Sequence, residues 1–348
     1  MNSIICKSPT RVDLAGGTLD LWPLYLLVGG AYTINVAIDI NTTVQISPRK
    51  DGVITLKSID QNCSVEYPSI FSLLSDEQEQ WSLVRHHVKY WHPKQGFDLI
   101  TQSESPVGGG LGGSSSLSIS LIKAFSQFCN KRFSPAEMVE LAGNVEAQVL
   151  KTPTGTQDYY PPLFGGINII TYSCEGRSVE VHDIPEGVFE GHFFLVYTGH
   201  PHHSGLNNWS IMKNAIDKNE KTLKSLKELS EIAVQVKRVC EEGNWHRLGE
   251  LLKQEFAARV RLSPAVTSKE IEKLEAVALG AGAEAVKICG AGGGGCVMVW
   301  TSPNLIEKVK EACRNAGFQV IKANPVQPLA KANGELSGKL SARKLKTN

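Results

Sequence analysis

Three glycine-rich segments, far apart in the chain, set the strongest limits on what this sequence can fold into. They occupy residues 9–20, 106–116 and 287–296. Glycine has no Cβ, so a loop of glycines can bring its backbone N–H groups very close to a ligand or to another chain segment. Each of the three segments also contains or adjoins residues that can handle phosphate, which points to a shared ligand.

The middle segment, residues 106–116, lies between a strand-like stretch at 96–105 and an apolar helical stretch at 117–128. The start of a helix carries a partial positive charge, and the three serines after Gly113 add hydroxyl groups. These features together predict a site for a polyphosphate. A flexible loop before a helix is the alternative, but three adjacent serines behind a regular glycine loop are hard to explain as a linker.

Two familiar phosphate-binding loops fit this middle segment poorly. A P-loop needs Gly-x-x-x-x-Gly-Lys-Ser/Thr, and Ser114 stands where the lysine belongs. The dinucleotide fingerprint Gly-x-Gly-x-x-Gly is met by Gly108, Gly110 and Gly113, but it also requires an acidic residue about 20 positions later, near the end of a second strand. The acids in that range fall within a helical stretch, so a dinucleotide site is disfavoured.

The carboxy-terminal segment lies between two strand-like stretches, at 284–289 and 296–301. A dinucleotide turn would be followed by a helix, so the strand context excludes one here. A run of four glycines between strands instead predicts the close approach of another loop or of a bound ligand. Cys289 and Cys296 flank the run, and we interpret them as small buried residues rather than a redox pair.

The order of these segments resembles the GHMP kinase superfamily, named for galactokinase, homoserine kinase, mevalonate kinase and phosphomevalonate kinase. Residues 110–115 are similar to its ATP-phosphate loop, and residues 290–295 are similar to its C-terminal glycine motif. The similarity extends from about residue 9 to about residue 325. It implies an α+β protein with the two-domain GHMP kinase fold: an N-terminal domain like domain 2 of ribosomal protein S5, a ferredoxin-like C-terminal domain, and ATP between them.

A fourth segment resembles the part of this superfamily that carries the chemistry. From the residues alone, Glu146 would be a solvated acid on a helix and Asp158 a turn residue. The resemblance instead implies that Asp158 and Arg11 are the catalytic residues, with Arg11 as a fixed cation beside Asp158, and that Glu146 and Ser114 or Ser115 hold Mg²⁺. The ATP-binding residues that it implies are Pro106, Gly108, Gly109, Gly110, Leu111, Gly112, Gly113, Ser114 and Ser115.

The first segment indicates the substrate class by resemblance. Galactokinases and mevalonate kinases carry Gly-Glu-His where this chain has Gly-Gly-Thr, and the Ala-Gly-Gly-Thr-x-Asp form is closer to the D-glycero-D-manno-heptose 7-phosphate kinase and fucokinase branch. This implies a sugar or sugar phosphate, phosphorylated at its anomeric hydroxyl. Asp20 would accept sugar hydroxyls, although a turn or cap residue is the plain alternative. The substrate contacts that we expect are Gly17, Thr18, Asp20, Tyr197, Gly292 and Gly293.

Two other functions stay open at this stage. A GHMP kinase could act on a non-sugar alcohol such as mevalonate, and a catalytically silent relative could bind ATP and sugar as a sensor. The histidines at 200–203 suggest a metal site at first sight, but a proline intervenes and no Cys or acid is close, so one ion could not easily use all three. We interpret this stretch as a substrate-facing loop, with a plain surface loop as the equal alternative.

The length of 348 residues favours two domains, which we place at 1–187 for the ATP-binding domain and 188–326 for the C-terminal domain. Residues 327–348 are polar and basic and are expected to form a disordered tail. The net charge of +1 gives no reason to expect nucleic acid or a membrane surface as partner. The eight cysteines without a Cys-x-x-Cys pair, and the lack of a signal peptide or membrane-length apolar stretch, predict a cytoplasmic protein. A homodimer is left open.

Overall fold

In the computed structural model, which describes residues 3–201 and 204–329, the chain forms two β-sheets. The first sheet uses strands up to residue 182, and the second uses strands from residue 193 onward. The change from one sheet to the other falls between residues 182 and 193, and a domain boundary at residue 187 stays a prediction. Within the described residues, none of the helices combines the length and the apolar character needed to cross a membrane.

The N-terminal sheet has seven strands, and its longest strand organises it. The strands are β1 (Ile4–Ala15), β2 (Ala31–Arg49), β3 (Ile54–Ser58), β4 (Cys63–Tyr67), β5 (Gly96–Ser103), β6 (Ile167–Ser173) and β7 (Gly176–His182). They follow the order β4-β3-β5-β2-β6-β7, and β1 also pairs with β2. β3 and β5 are parallel and the other neighbours are antiparallel. Parts of β2, β3 and β5, at 42–47, 54–58 and 97–102, are rich in the β-branched and apolar residues that are typical of strands.

The N-terminal domain has six α-helices in the described part of the chain. They are α1 (Leu24–Leu27), α2 (Ile70–Leu74), α3 (Ser82–Trp91), α4 (Gly113–Phe128), α5 (Pro135–Leu150) and α6 (Pro161–Phe164). α5 begins at a capping box, in which the Ser134 hydroxyl accepts from the Glu137 N–H and the Glu137 carboxylate accepts from the Ser134 N–H. α4 starts directly after the glycine loop and packs on β1 and β2.

The C-terminal domain has the ferredoxin-like strand order. Its strands are β8 (Phe193–Tyr197), β9 (Ala285–Ile288), β10 (Cys296–Trp300) and β11 (Gln319–Ile321), and its helices are α7 (Ser204–Ile216), α8 (Glu220–Glu242), α9 (Leu248–Leu262), α10 (Lys269–Ala281) and α11 (Ile306–Asn315). The antiparallel sheet has the order β11-β8-β10-β9, which is fourth, first, third and second in chain order. This order confirms the ferredoxin-like domain that the resemblance implied.

The two domains share one apolar cluster rather than meeting at a polar surface. Val12 and Leu14 of β1 belong to the same buried cluster as Leu195 of β8 and Leu226 of α8. A shared core of this kind fixes the relative position of the two domains more firmly than a wet interface would. Residues that face each other across the junction are therefore held at defined distances.

The last described residues return to the N-terminal domain. The Val326 N–H donates to the Ala37 carbonyl at 2.9 Å, and the Leu329 N–H donates to the Phe164 carbonyl at 2.7 Å. The stretch expected to be a disordered tail therefore begins, at residue 327, with residues that are hydrogen-bonded into the first domain. The remainder of that stretch lies outside the described residues.

Two glycines with the same backbone conformation test how closely β1 and β2 pack. Gly16 and Gly29 have φ of +85° and +81°, but a Cβ on Gly16 would lie 2.0 Å from the Tyr32 carbonyl oxygen, whereas nothing lies within 4 Å of one on Gly29. Gly29→Ala should lower the free energy of unfolding by about 1–2 kcal/mol because of the left-handed backbone. Gly16→Ala should lose about 1–3 kcal/mol more through overpacking. Denaturant unfolding measures both, and equal losses would contradict the prediction.

Candidate active site

Arg11, on β1, is the residue at which the four sequence segments meet. Its Nε and Nη2 donate to the two carboxylate oxygens of Asp158 at 2.8 and 2.7 Å. Its Nη1 donates to the carbonyl oxygen of Gly110 at 2.5 Å and to that of Cys289 at 2.7 Å. One buried guanidinium thus ties the first strand to the middle glycine loop, to the turn that carries Asp158 and to the start of the C-terminal glycine run.

Asp158 lies in a short 3-10 turn, Gln157–Tyr159, directly beside the glycine loop. A Cβ placed on Gly112 would lie 3.3 Å from Asp158 Oδ2, so the loop and the carboxylate are in contact. The Asp158 side chain keeps 23% of its surface exposed and lines the cavity that the loop encloses. Its oxygens are therefore available to a ligand even though they are paired with Arg11.

The glycine loop forms one wall of a cavity of about 400 Å³. The lining residues from this loop and the start of α4 are Pro106, Val107, Gly108, Gly109, Gly110, Gly112, Gly113, Ser114 and Ser115. Leu111 is the exception among the expected ATP-binding residues, because its side chain is fully buried and its carbonyl accepts the Arg11 N–H at 3.0 Å. Gly112, the N-cap of α4, has no side chain that could cap the first turn, so an anionic oxygen can take that role.

Glu146, near the end of α5, is buried and accepts three side-chain hydrogen bonds. The Ser115 hydroxyl donates to Oε1 at 3.5 Å, the Thr154 hydroxyl donates to Oε2 at 3.0 Å, and the Tyr159 hydroxyl also donates to Oε2. Burial raises the pKa of the Glu146 carboxyl, against the effect of these donors. Of the two serines expected to share a metal ion with Glu146, Ser115 lies next to the carboxylate, whereas Ser114 is exposed in the cavity wall.

The oxygens around Glu146 fit a hard divalent cation such as Mg²⁺. Burial disfavours the ionised carboxylate, and an adjoining cation would stabilise it. Within residues 3–201 and 204–329, no group of three or more His, Cys, Asp or Glu side chains could hold an ion by itself. Mg²⁺ commonly takes one or two protein oxygens and completes its shell with phosphate oxygens and water, which is the number of ligands that this corner offers.

A second group of polar side chains lines the same cavity: Thr18, Asp20, Gln157, Asn208 and Arg259. Asp20 is buried, and its Oδ2 accepts the Gln157 N–H at 3.1 Å. Burial, together with the nearby charge of Asp158, raises the pKa of Asp20 to about 6. Gly155 packs directly against this carboxylate, because a Cβ there would lie 2.0 Å from Asp20 Oδ2. Asp20 and Thr18 thus occupy the cavity wall, as the sequence suggested they would.

Gly17 does not line the cavity, contrary to expectation. A Cβ on Gly17 would lie 2.3 Å from Arg259 Nη2, 2.6 Å from Asp13 Oδ2 and 2.8 Å from Gln157 Nε2. The glycine is therefore needed to leave room for three polar side chains rather than for a ligand. A glycine at this position lets Arg259, Asp13 and Gln157 pack beside the cavity.

Three further residues expected at the substrate also lie elsewhere. Tyr197, on β8, packs against the apolar cluster that the two domains share. Gly292 and Gly293 face the turn Pro264–Val266: a Cβ on Gly292 would lie 2.3 Å from the Val266 carbonyl oxygen, and the Gly293 N–H donates to that oxygen at 2.8 Å. None of the three is part of the described cavity wall, which the C-terminal segment reaches through Cys289, Gly290 and Ala291.

The C-terminal glycine run meets the middle glycine loop. A Cβ on Gly295 would lie 2.8 Å from the Gly108 carbonyl oxygen, and the Cys296 N–H donates to the Gly109 carbonyl at 2.7 Å. The close approach that the four glycines predicted is therefore the approach of another loop. Cys289 and Cys296 are buried, and burial raises the pKa of the Cys289 thiol to about 12, which agrees with a packing role.

A buried ion network beside the cavity was missed by the sequence analysis. Arg259 of α9 donates to Asp13 Oδ2 and to Glu255 Oε1, each at 2.6 Å. Lys287 of β9 lies 3.0 Å from Asp13 Oδ2 and 3.3 Å from Glu255 Oε2. Although burial opposes it, Lys287 and Arg259 hold the pKa of Asp13 below its ordinary value. Two signals could have revealed the network: Asp13 alternates with apolar residues in a strand, and Glu255 and Arg259 are four residues apart on an otherwise apolar helix face.

Two protein-family models match the chain. The GHMP kinases N terminal domain matches residues 80–166, and the GHMP kinases C terminal domain matches residues 233–319. Together the matches cover half of the sequence, with one match in each domain. The chain belongs to the GHMP kinase family.

Individual proteins of known name are also similar to this chain. A D-glycero-alpha-D-manno-heptose 7-phosphate kinase of Campylobacter jejuni is 28% identical over 322 residues, which are 89% of this chain and 94% of that protein. An L-fucokinase/L-fucose-1-P guanylyltransferase of Bacteroides fragilis is 25% identical over 344 residues, 88% of this chain but 35% of that protein. The crystal structure of a D-glycero-D-manno-heptose 1-phosphate kinase from Bacteroides thetaiotaomicron matches with a TM-score of 0.75 over 94% of this chain and 97% of that chain, at 21% identity, and shows the shared fold.

A second glycine pair tests the contact between the two loops. Gly295 and Gly317 have φ of +80° and +92°, but only Gly295 adjoins the middle loop, since nothing lies within 4 Å of a Cβ on Gly317. Gly295→Ala should displace Gly108 and Gly109 and weaken the affinity for ATP about tenfold or more, a loss of roughly 1.4 kcal/mol. Gly317→Ala should lower stability by about 1–2 kcal/mol without changing that affinity. Calorimetric titration with ATP measures both, and an unchanged affinity of Gly295→Ala would refute the coupling.

Proposed function

We propose that this protein is an ATP-dependent kinase that transfers the γ-phosphoryl group to a hydroxyl of a sugar or sugar phosphate, with the anomeric hydroxyl as the acceptor. The observation that carries the proposal is the position of Asp158, which is paired with Arg11, touches the glycine loop and lines the same cavity as Asp20. The relatives named as heptose phosphate kinases and as a fucokinase support the choice of a sugar.

The phosphate chain of ATP is held by backbone groups in this proposal. The glycine loop presents main-chain surface to the cavity, and the uncapped start of α4 adds its first N–H groups and the partial positive charge of the helix. Phosphoryl transfer needs alignment and charge neutralisation more than covalent help from the protein. A rigid loop, fastened from behind by Arg11 and by Cys296, provides that alignment.

Asp158 receives or orients the acceptor hydroxyl. Its carboxylate keeps part of its surface in the cavity, where its oxygens can accept from a hydroxyl, and the two hydrogen bonds from the Arg11 guanidinium hold it in that position. Arg11 itself acts as a positioning residue, because its nitrogens donate to Asp158 and to two backbone carbonyls. The guanidinium therefore fixes both Asp158 and the glycine loop at the cavity that it lines.

Glu146, with the hydroxyls of Ser114 and Ser115, would hold Mg²⁺ at the start of α4. When bound, the cation neutralises charge on the phosphate oxygens. Thr154 and Tyr159 keep the carboxylate of Glu146 turned towards the serines by donating to its other oxygen. The protein thus fixes the direction of one metal ligand through two hydroxyl donors.

The alternatives receive less support. A catalytically silent sensor would not need Asp158, Arg11 and Glu146 together at one cavity, and all three are there. A small alcohol such as mevalonate offers few partners for Asp20, Gln157, Thr18 and Arg259, whereas a polyhydroxylated sugar offers many. We place the enzyme in the cytoplasm because its eight cysteines are all unpaired, and we propose no nucleic-acid or membrane partner. A homodimer is compatible with this function.

Replacement of Asp158 tests the catalytic assignment. Asp158→Asn keeps the size of the side chain but cannot accept the hydroxyl proton, so turnover should fall by about two orders of magnitude or more while ATP affinity stays largely unchanged. Asp51→Asn, an exposed aspartate that pairs with Arg49, is the matched control. A coupled ATPase assay over hexoses, heptoses and their phosphates measures turnover, and calorimetry measures ATP affinity. Loss of ATP binding in Asp158→Asn would make Asp158 a scaffold residue, and ATP binding by the wild type without turnover on any sugar would favour the sensor.

The raised pKa of Asp20 predicts a pH dependence of sugar affinity. The carboxylate accepts hydroxyl hydrogens best when ionised, and its pKa of about 6 means that protonation begins in mildly acidic solution. Sugar affinity should therefore be constant above pH 7 and fall towards about tenfold per pH unit below pH 6, the limit for one proton. Calorimetric titrations from pH 5 to 7.5 measure this, with Asp20→Asn as a control that binds weakly at every pH. A wild-type profile as flat as that of Asp20→Asn would remove Asp20 from the site.

A further inference from the structure

Among the described residues of the C-terminal domain that line the cavity, Arg259 is the one with a charged side chain. It lies on α9, and its side chain is 4% exposed although it lines the cavity. Two of its nitrogens are fixed from behind, Nε by Glu255 and Nη2 by Asp13. Its third nitrogen, Nη1, donates to no acceptor within the described part of the chain. A buried guanidinium with one end unpaired at a cavity wall is a group prepared for a ligand oxygen.

The surroundings of Arg259 are built to hold it in that position. Gly17 leaves the space that Nη2 occupies, since a Cβ there would lie 2.3 Å from that atom. The charges of Glu255, Asp13 and Asp20 hold the pKa of Arg259 above its ordinary value despite burial. Asp20 is thus a close neighbour of Arg259 and lines the same cavity. A fixed donor and a fixed acceptor stand side by side in one wall.

We propose that Arg259 is a substrate-binding residue. Its Nη1 donates a hydrogen bond to one oxygen of the sugar, and Asp20 accepts a hydrogen bond from the neighbouring hydroxyl. The inference rests on the proposed function and adds a contact between the C-terminal domain and the sugar. Neighbouring hydroxyls of a sugar suit this pair, because one can donate to the carboxylate while the other accepts from the guanidinium.

The charge balance favours a neutral oxygen as the partner of Arg259. Two carboxylates, Asp13 and Glu255, face two cations, Arg259 and Lys287, within the buried network. The positive charge of Arg259 is therefore already compensated before a ligand arrives. A hydroxyl or ring oxygen needs only the free N–H, whereas a second phosphate on the substrate would add uncompensated negative charge beside Asp20.

The test is sugar affinity, measured by calorimetry in the presence of a non-hydrolysable ATP analogue. The variants are Arg259→Gln, Arg259→Lys and the matched control Arg261→Gln, two residues further along α9, where Arg261 is half exposed and pairs with Glu228. Arg259→Gln should weaken the affinity for the best sugar of a hexose and heptose panel about tenfold to a hundredfold, the usual loss for a hydrogen bond to a charged group. Affinity for the ATP analogue should change by less than about twofold. Arg261→Gln should change neither.

Arg259→Lys separates binding from a structural role. A lysine keeps the charge between Glu255 and Asp13, so the folded protein should persist, but it lacks the planar fork that leaves a nitrogen for the ligand. Sugar affinity should stay about tenfold or more below wild type while the melting temperature approaches the wild-type value. Full recovery of sugar affinity together with stability would overturn the proposal in favour of a purely structural ion network.

A series of monodeoxy sugars identifies the contacted oxygen. One deoxy sugar should bind wild type more weakly than the parent sugar but lose nothing further in Arg259→Gln, because the contact is already gone. Equal further losses for every deoxy sugar would refute a direct contact. Inorganic phosphate is the second probe: binding to wild type that is abolished in Arg259→Gln would replace the sugar hydroxyl by a phosphate as the ligand and overturn the proposal.

The same titrations separate this inference from the proposed function. A wild-type protein that binds sugar through Arg259 but transfers no phosphoryl group would refute the kinase and leave the assignment of Arg259 intact. A wild-type protein that turns over a sugar with the same affinity in all variants would refute Arg259 and leave the kinase intact. Absence of any sugar binding by the wild type would overturn both.

Discussion

The bidentate ion pair between Arg11 and Asp158 is the interaction on which the site depends. A buried guanidinium is stable only when its donors are satisfied, and here the acceptors come from three distant parts of the chain: the Asp158 carboxylate and the carbonyls of Gly110 and Cys289. The geometry around Asp158 is therefore also a folding requirement. A chain that failed to bring these segments together would leave a charge unpaired in the core, so the arrangement that we propose for ATP binding forms together with the fold.

Strand β1 also carries a buried charge, Asp13, that pairs with residues across the domain junction. Arg11 and Asp13 are two residues apart in β1, so their side chains point to one face, whereas Val12 and Leu14 enter the shared apolar cluster on the other. Arg11 fastens the glycine-loop side of the cavity, and Asp13 fastens Arg259 and Lys287 of the second domain. One strand thus connects the core of both domains to both walls of the cavity.

The sequence predicted which glycines lie in close contact with another part of the protein better than it predicted which residues they contact. Glycine patterns mark positions without room for a side chain, so the three glycine-rich segments and the family could be found from the sequence alone. The neighbour that fills the space belongs to the tertiary fold: Gly17 faces Arg259, and Gly292 faces Val266. Glu255 and Arg259 lie four residues apart on α9, but only the fold shows that both are buried beside the cavity, because Asp13, which accepts from Arg259, is 246 residues away in the chain.

The charges of the cavity wall divide it into two halves with different ligand preferences. Among the described lining residues, the lysine and arginine side chains are Arg11 and Arg259, and each is already paired with carboxylates. In the proposed function, the charge of the triphosphate is then balanced by backbone N–H groups, by the start of α4 and by a cation at Glu146. The acceptor half, with an ionisable Asp20 and a compensated Arg259, favours neutral oxygens. Under the proposed function, this separation of anionic from neutral ligands gives a sugar nothing to gain in the phosphate half and brings its hydroxyl beside Asp158.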